Sequence, residues 1–161
     1  HEDIQFVLLG TGDKAYEDWF KGLAWRFPTK VSANIYFSNQ LAQRIYAASD
    51  IFLMPSNYEP CGIGQLIALR YGTIPVVRKT GGLSDTVIPY SKYTEQGNGF
   101  VFENYNAHEM MATLRRALSH YGNYAVWKQI MRNAMTSDYS WNESAREYIR
   151  LYEQLLGKKA E

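Results

Sequence analysis

The sequence predicts an α/β fold built on a doubly wound parallel sheet, and three observations predict it. Short apolar runs alternate with segments of helical periodicity along the first hundred residues. The runs at residues 4–9, 51–54 and 74–78 are apolar almost throughout, as strands covered on both faces require. The links between segments are short, so successive strands lie parallel, joined by right-handed crossovers with a helix in each. Together these give a Rossmann-like sheet, followed by a helical final third.

Each element has its own signal. Residues 4–9 form a strand bounded by Gly10-Thr11-Gly12 and are expected to be buried on both faces. Tyr16, Trp19, Phe20, Leu23, Ala24 and Phe27 recur at helical spacing, and Pro28 ends that helix. A strand over residues 31–36 precedes a helix through Leu41, Ile45 and Ala48. Residues 51–54 form the next strand, stopped by Pro55. A helix over residues 62–70 leads to the strand 74–78, and a polar loop leads to the strand 99–102. Asn106 with Glu109 has the form of a capping box ahead of Met110, Leu114, Ala117 and Leu118. Ser140 with Glu143 repeats it ahead of Trp141, Ala145, Ile149, Tyr152 and Leu156, and Gly157 supplies the stop.

Composition narrows the function. With 161 residues the chain fits one domain that buries a core of its own. Seventeen basic against sixteen acidic residues leave a net charge of +1, too weak a field to recruit nucleic acid or anionic lipid. No apolar run approaches the roughly 20 residues that span a bilayer. Cys61 is the single cysteine, which excludes an internal disulfide and fits a reducing, cytoplasmic location. His1, His108 and His120 are scattered, so no metal site is expected, and the last two fall at helical positions expected to be exposed. The opening His1-Glu2-Asp3 has no initiator Met or signal peptide, which suggests a piece of a longer protein.

In an open parallel sheet, ligands bind outside the carboxyl ends of the strands, and three loops qualify. Gly10-Thr11-Gly12-Asp13 is either a glycine turn that admits a ligand or a plain tight turn; it lacks the third glycine of the dinucleotide fingerprint. The second loop runs from Pro55 to Gln65. There a helix start presents the amides of Ile63, Gly64 and Gln65 to an anion such as a diphosphate. Glu59, between Tyr58 and Pro60, could accept bonds from sugar hydroxyls or be a solvated loop carboxylate. The third loop, residues 78–86, offers Arg78, Lys79, Thr80 and two glycines to phosphate or sugar oxygens. A flexible connection with surface charges is the competing account.

The second and third loops form one string: Pro55-Ser56-x-x-Glu59-Pro60-Cys61-Gly62-x-x-Gln65-Leu66-x-Ala68-Leu69-Arg70-Tyr71-Gly72-Thr73-x-Pro75-Val76-Val77-Arg78-x-Thr80-Gly81-Gly82-Leu83-x-Asp85-Thr86-Val87. It closely resembles the signature of the glycogen/starch synthases, the ADP-glucose-dependent two-Rossmann-domain (GT-B) glycosyltransferases. Residues 99–102, Asp138-Tyr139-Ser140-Trp141 and the closing Tyr148-x-x-x-Tyr152 helix agree with it as well.

The resemblance implies that residues 1–161 are the C-terminal, nucleotide-sugar-binding domain of such an enzyme. It implies retaining transfer of glucose from ADP-glucose to the 4-hydroxyl at the non-reducing end of an α-1,4-glucan. Glu59 matches the active-site glutamate that contacts the glucose. Backbone at Cys61 and Gly62 would hold glucose hydroxyls, and the Ile63, Gly64 and Gln65 segment would receive the diphosphate. Phe37 falls where the family sets an aromatic against adenine, and Lys79, Thr80 and Gly81 line the same cleft. No cofactor is implied. Gly64 stands where many relatives carry Thr or Ser, leaving only an amide. Ile67 replaces the second glutamate of the wider superfamily, which favours the synthases over sucrose- and lipid-directed relatives. The family also uses an amino-terminal domain that holds the glucan, with an arginine and a lysine upstream of His1. The isolated chain is therefore expected to be inactive. Two alternatives remain open: a retaining transferase for another sugar nucleotide, and a catalytically silent nucleotide-binding module.

Overall fold

The computed structural model describes residues 2–157 and divides into two units, the first ending at Ser49 and the second beginning at Asp50. The first contains β1 (Phe6–Leu9), α1 (Lys14–Arg26), β2 (Val31–Asn34) and α2 (Asn39–Ala48). Strands β1 and β2 are parallel, with Phe6 opposite Val31 and Leu9 opposite Asn34. Helix α1 packs on the sheet through Phe20, whose ring stacks on Phe6 at 5.9 Å. The helix stops where predicted: Phe27, just before Pro28, donates its N–H to the Leu23 carbonyl at 2.8 Å.

Two expectations fail in this unit. Strand β1 is not covered on both faces, since Val7 is 45% exposed. Two short strands and two helices shield too little surface to exclude solvent. Strand β2 ends at Asn34, short of Tyr36. Pairing runs out there because the partner strand ends at Leu9, and the next turn leads into the Ser38 cap of α2.

The second unit contains β3 (Ile51–Met54), α3 (Gly64–Tyr71), β4 (Ile74–Arg78), α4 (Gly82–Thr86), β5 (Phe100–Phe102), α5 (Ala107–Tyr121), α6 (Tyr124–Thr136) and α7 (Trp141–Leu155). Its parallel sheet has the order β3-β4-β5, with Ile51 opposite Ile74 and Val76 opposite Phe100. The central strand β4 is the most buried element, and its alternation explains why. Ile74 and Val76 face a cluster with Leu69 of α3, Leu114 and Ala117 of α5, and Trp127 and Ile130 of α6. Val77, on the opposite face, packs with Leu83 and Val87. Both faces of this sheet are therefore covered, as a doubly wound arrangement demands.

The predicted bounds of β3 and β4 hold to the residue. Helix α3 starts at Gly64 rather than Gly62, because Gly62 has a φ of +74°, outside helical space. Helix α4 has no counterpart in the sequence reading, and α6 lies within the predicted helical final third without having been singled out there.

The two predicted capping boxes have different fates. Asn106 caps α5 as expected, its side chain accepting from the Glu109 N–H at 2.9 Å. The Glu109 carboxylate does not close the box. It accepts instead from the amides of Asn104 (2.9 Å) and Glu103 (3.2 Å). Side-chain and backbone N–H groups of Asn104 hold the Glu109 carboxyl below the usual carboxylate range. Replacing Asn106 with alanine should lower the unfolding free energy by about 1 kcal/mol, read from urea titration. An unchanged midpoint would show that the cap carries no weight.

At the second site Ser140 makes no side-chain cap bond. Asp138 accepts from the Ser140 N–H at 2.9 Å, and that bond holds the Asp138 carboxyl below its usual range. Glu143 turns one helical step onward to Arg146, 2.6 Å away. The expected capping box is thus replaced by an aspartate turn, in which Asp138 takes the Ser140 N–H that Glu143 would have accepted. The helix itself runs to Leu155, and Gly157, with a φ of +69°, supplies the stop as predicted.

Candidate functional site

The loop after β3 and the loop after β4 both leave the sheet at strand carboxyl ends, one entering α3 and the other α4. They pack backbone against backbone. Gly81 has a φ of +45°, and a Cβ placed on it would lie 1.9 Å from the Glu59 carbonyl oxygen. A Cβ on Gly82 would meet the Cys61 carbonyl oxygen at 2.5 Å. The Gly82 N–H donates to the Pro60 carbonyl at 3.2 Å. Only glycine permits such contact, so the Gly81-Gly82 pair exists to bring Glu59, Pro60 and Cys61 against the start of α4.

At the start of α3, Ile63 occupies the cap position and supplies no side-chain cap bond. The first amides of a helix have no intrahelical partner, so those of Gly64 and Gln65 carry the positive end of the helix dipole outward. Ile63 is 68% exposed, Cys61 is exposed and Glu59 is half-buried. The structure thus brings Glu59, Cys61, Gly62, Ile63, Gly64 and Gly81 into one neighbourhood.

The Gln65 side chain has a role of its own, apart from the backbone amide. Its side chain is fully buried and aims away from solvent. Its Nε2 donates to the carbonyls of Cys61 (3.1 Å) and Gly62 (3.0 Å) and to the Thr86 hydroxyl (3.2 Å). Its Oε1 is buried without a protein partner, a state that costs about 1–3 kcal/mol. Whatever Gln65 offers a ligand comes from its backbone.

The cations of the third loop are already engaged. Arg78 donates to the carbonyls of Asn57 and Glu103, and its guanidinium lies 5.5 Å from the centre of the Tyr105 ring. It therefore braces the loop that carries Glu59. Lys79 pairs with Glu103 at 2.9 Å, with both side chains more than half exposed. Water screens such a pair to a small net energy, so an incoming anion can take the ammonium. Thr80 accepts from the Leu83 N–H at 3.1 Å through its carbonyl and so opens α4. Glu103 escaped the sequence reading. Its signal lies in the register, because Arg78 opposite Phe102 makes Lys79 and Glu103 neighbours.

Phe37 lies in the first unit and is 83% exposed, one residue before the Ser38 cap of α2. In the same unit Gly10-Thr11-Gly12-Asp13 behaves as a turn and cap. A Cβ at Gly10 or Gly12 would touch nothing within 4 Å. Asp13 accepts from the Ala15 N–H at 2.8 Å and Glu17 from the Gly12 N–H at 3.0 Å.

Other polar clusters are structural. Asn98, nearly fully buried, donates to the Thr86 carbonyl (3.1 Å), the Ser137 hydroxyl (3.1 Å) and Tyr139 (3.3 Å), and accepts from the Ile88 N–H (2.8 Å). Tyr139 also donates to the Thr86 carbonyl at 2.6 Å. Asn98 and Tyr139 line a cleft of about 360 Å³ with Asn133. Asn133 in turn donates to the carbonyls of Glu95 and Gly97. The wall groups bond one another, so the cleft has little left to recognise a ligand. Sequence reasoning missed this network, although Asn98 between two glycines and Tyr139 in the quoted tail marked its ends.

His120 is half-buried, against expectation, with its ring 5.6 Å from Tyr90 and 5.5 Å from Phe100. His108 is exposed as expected, and His1 lies outside the described residues. Among the described residues no group of three His, Cys, Asp or Glu could hold a metal. No helix among them is long and apolar enough to cross a membrane.

The chain is 57% identical over 157 residues to a glycogen synthase of Clostridium novyi (strain NT), covering 98% of this chain and 33% of the relative. It is 59% identical over 154 residues to a glycogen synthase of Clostridium perfringens (strain 13 / Type A), covering 96% and 32%. The chain spans about a third of the length of the curated relatives it matches. The solved catalytic domain of starch synthase IV from Arabidopsis thaliana, bound to ADP and acarbose, superposes with a TM-score of 0.81. Its sequence is 37% identical, and the match covers 96% of this chain and 33% of that one. That likeness places the chain's parallel-stranded α/β fold with GT-B glycosyltransferase catalytic domains. The family model for glycosyl transferases group 1 matches residues 1–134, well over half of the sequence, and the chain belongs to that family.

Proposed function

We propose that the chain is the sugar-donor-binding half, residues 1–161, of an ADP-glucose-dependent glycogen or starch synthase. The enzyme would transfer glucose, with retention, to the 4-hydroxyl at the non-reducing end of an α-1,4-glucan held by a second, amino-terminal domain. A cytoplasmic location follows from the same reading. One observation carries it: the side-chain-free contact of Gly81-Gly82 with Glu59, Pro60 and Cys61, beside an uncapped helix start. The glycogen synthase relatives and the ADP-bound starch synthase support the choice of chemistry.

The mechanism follows from where charge develops. As the bond from glucose to ADP breaks, the sugar gains oxocarbenium character and the diphosphate gains negative charge. Preorganised amides at Ile63, Gly64 and Gln65, with the Lys79 ammonium, offset that charge without any nucleophile from this chain. Glu59 orients the sugar and offsets its developing positive charge. Carbonyl and amide groups at Cys61 and Gly62 take the glucose hydroxyls, and Thr80 and Gly81 complete the wall. No cofactor is needed for these roles. Phe37 would stack on adenine.

Calorimetric titration of this chain with ADP, and with UDP for comparison, tests the reading. Weak, ADP-selective binding is expected. Phe37→Ala should weaken it by about 1–3 kcal/mol, the range for a base stacked on an aromatic ring. Equal binding of UDP and ADP would overturn the donor assignment, and an unchanged ADP constant in Phe37→Ala would remove Phe37 from the site.

A further inference from the structure

We infer that Gln65 and Thr86 form a positioning bridge that sets the sugar-binding backbone, an inference that rests on the reading just given. The bridge runs in a closed circuit. Gln65 Nε2 donates to the carbonyls of Cys61 and Gly62 and to the Thr86 hydroxyl. The Thr86 hydroxyl, having accepted from Gln65, donates to the Gly82 carbonyl at 2.8 Å. The Gly82 N–H closes the circuit on the Pro60 carbonyl. Two side chains 21 residues apart thus tie the backbone of residues 60–62 to the start of α4.

The two ends are anchored independently. Gln65 is a fully buried member of α3, and Gly62 sits so close that a Cβ on it would lie 2.4 Å from Gln65 Oε1. The Thr86 carbonyl accepts from both Asn98 and Tyr139. The Tyr139 corner therefore acts on the loops through Thr86. Oε1 lacks a protein partner, so the amide loses stability on one side and recovers it only through its donor side. An apolar residue of similar volume would avoid the loss, but it would release the Cys61 and Gly62 carbonyls. The consequence of having an amide here is a fixed direction for those two carbonyls. Gln65 is fully buried and the Thr86 hydroxyl is bonded on both its accepting and donating sides, so both are positioning residues.

The bridge predicts a separation of kinetic constants in the two-domain enzyme that contains this chain. Thr86→Val keeps the volume and removes the hydroxyl. It should lower kcat/KM for ADP-glucose by about 10–100-fold, as expected for displaced substrate contacts. The KM for glucan and the thermal midpoint should stay near wild type, and Thr86→Ser should restore the ADP-glucose constants. Gln65→Leu should behave like Thr86→Val, and the double variant should be no worse than either, since all three open the same circuit. Wild-type ADP-glucose constants in Thr86→Val, or a glucan KM that rises in step with the ADP-glucose KM, would overturn the bridge. A folded wild-type enzyme that takes no glucose from ADP-glucose would overturn the functional reading and the bridge together. An active wild type with an indifferent Thr86→Val overturns the bridge alone.

Discussion

Gly81→Ala is expected to destabilise the chain by about 2–5 kcal/mol, the sum of a strained left-handed backbone and a forced displacement of packed atoms. Gly81 has a φ of +45° and a ψ of −139°, a region that L side chains avoid. Its new Cβ would lie 1.9 Å from the Glu59 carbonyl oxygen, a backbone atom that no rotamer change can move. Relief requires the loop after β3 to lift away from α4, which also displaces the proposed sugar contacts. Gly12→Ala is the matched control, because a Cβ there meets nothing within 4 Å. It should change stability by no more than about 0.5 kcal/mol. Urea unfolding of the three proteins measures both effects. A Gly81→Ala midpoint equal to wild type would show that the two loops are not in contact, and the central geometric claim would fail.

Glu59→Ala in the two-domain enzyme is expected to raise the barrier to turnover by about 2–4 kcal/mol, a range typical of a lost transition-state contact. That corresponds to roughly 30- to 900-fold in kcat. The carboxylate is half-buried on a loop, not in the core, so stability should change little. ADP affinity should also persist, because the nucleotide contacts proposed here come from helix-start amides, Lys79 and Phe37. Loss of kcat with ADP binding retained would assign Glu59 to the sugar end of the site. Near-normal kcat would remove it from the mechanism. If Glu59→Ala lost kcat and ADP binding together, the role would belong to loop structure rather than chemistry.

These two substitutions differ in how visible their targets are in the sequence. The Glu59 motif is local: a short string of special residues between a strand and a helix. The purpose of Gly81 is not local, because its steric partner is 22 positions away, and only the fold sets them in contact. The same contrast runs through the secondary structure. Strands β3 and β4 were legible to the residue because a buried strand needs an unbroken apolar run. Helix α4 was not, being five residues that contain a glycine, too short for any period to show. Helix α6 did carry a signal in Trp127, Ile130 and Ala134, all buried on one face, behind a capping Asn123. The Ser140–Glu143 pair had the right letters for a capping box, yet Asp138 met the same backbone need first.

By itself the sequence determined the class of fold and the family, and it pointed to the loops proposed to take a ligand, because periodicity and short motifs are properties of neighbours along the chain. Tertiary structure alone decided which side chains stay open to solvent and which hold the frame. Gln65 turned inward, Arg78 was taken by the Asn57 and Glu103 carbonyls, Lys79 found Glu103, and His120 moved under Tyr90 and Phe100. A buried polar group must bond to whatever the fold brings within reach, and chain spacing does not encode that reach.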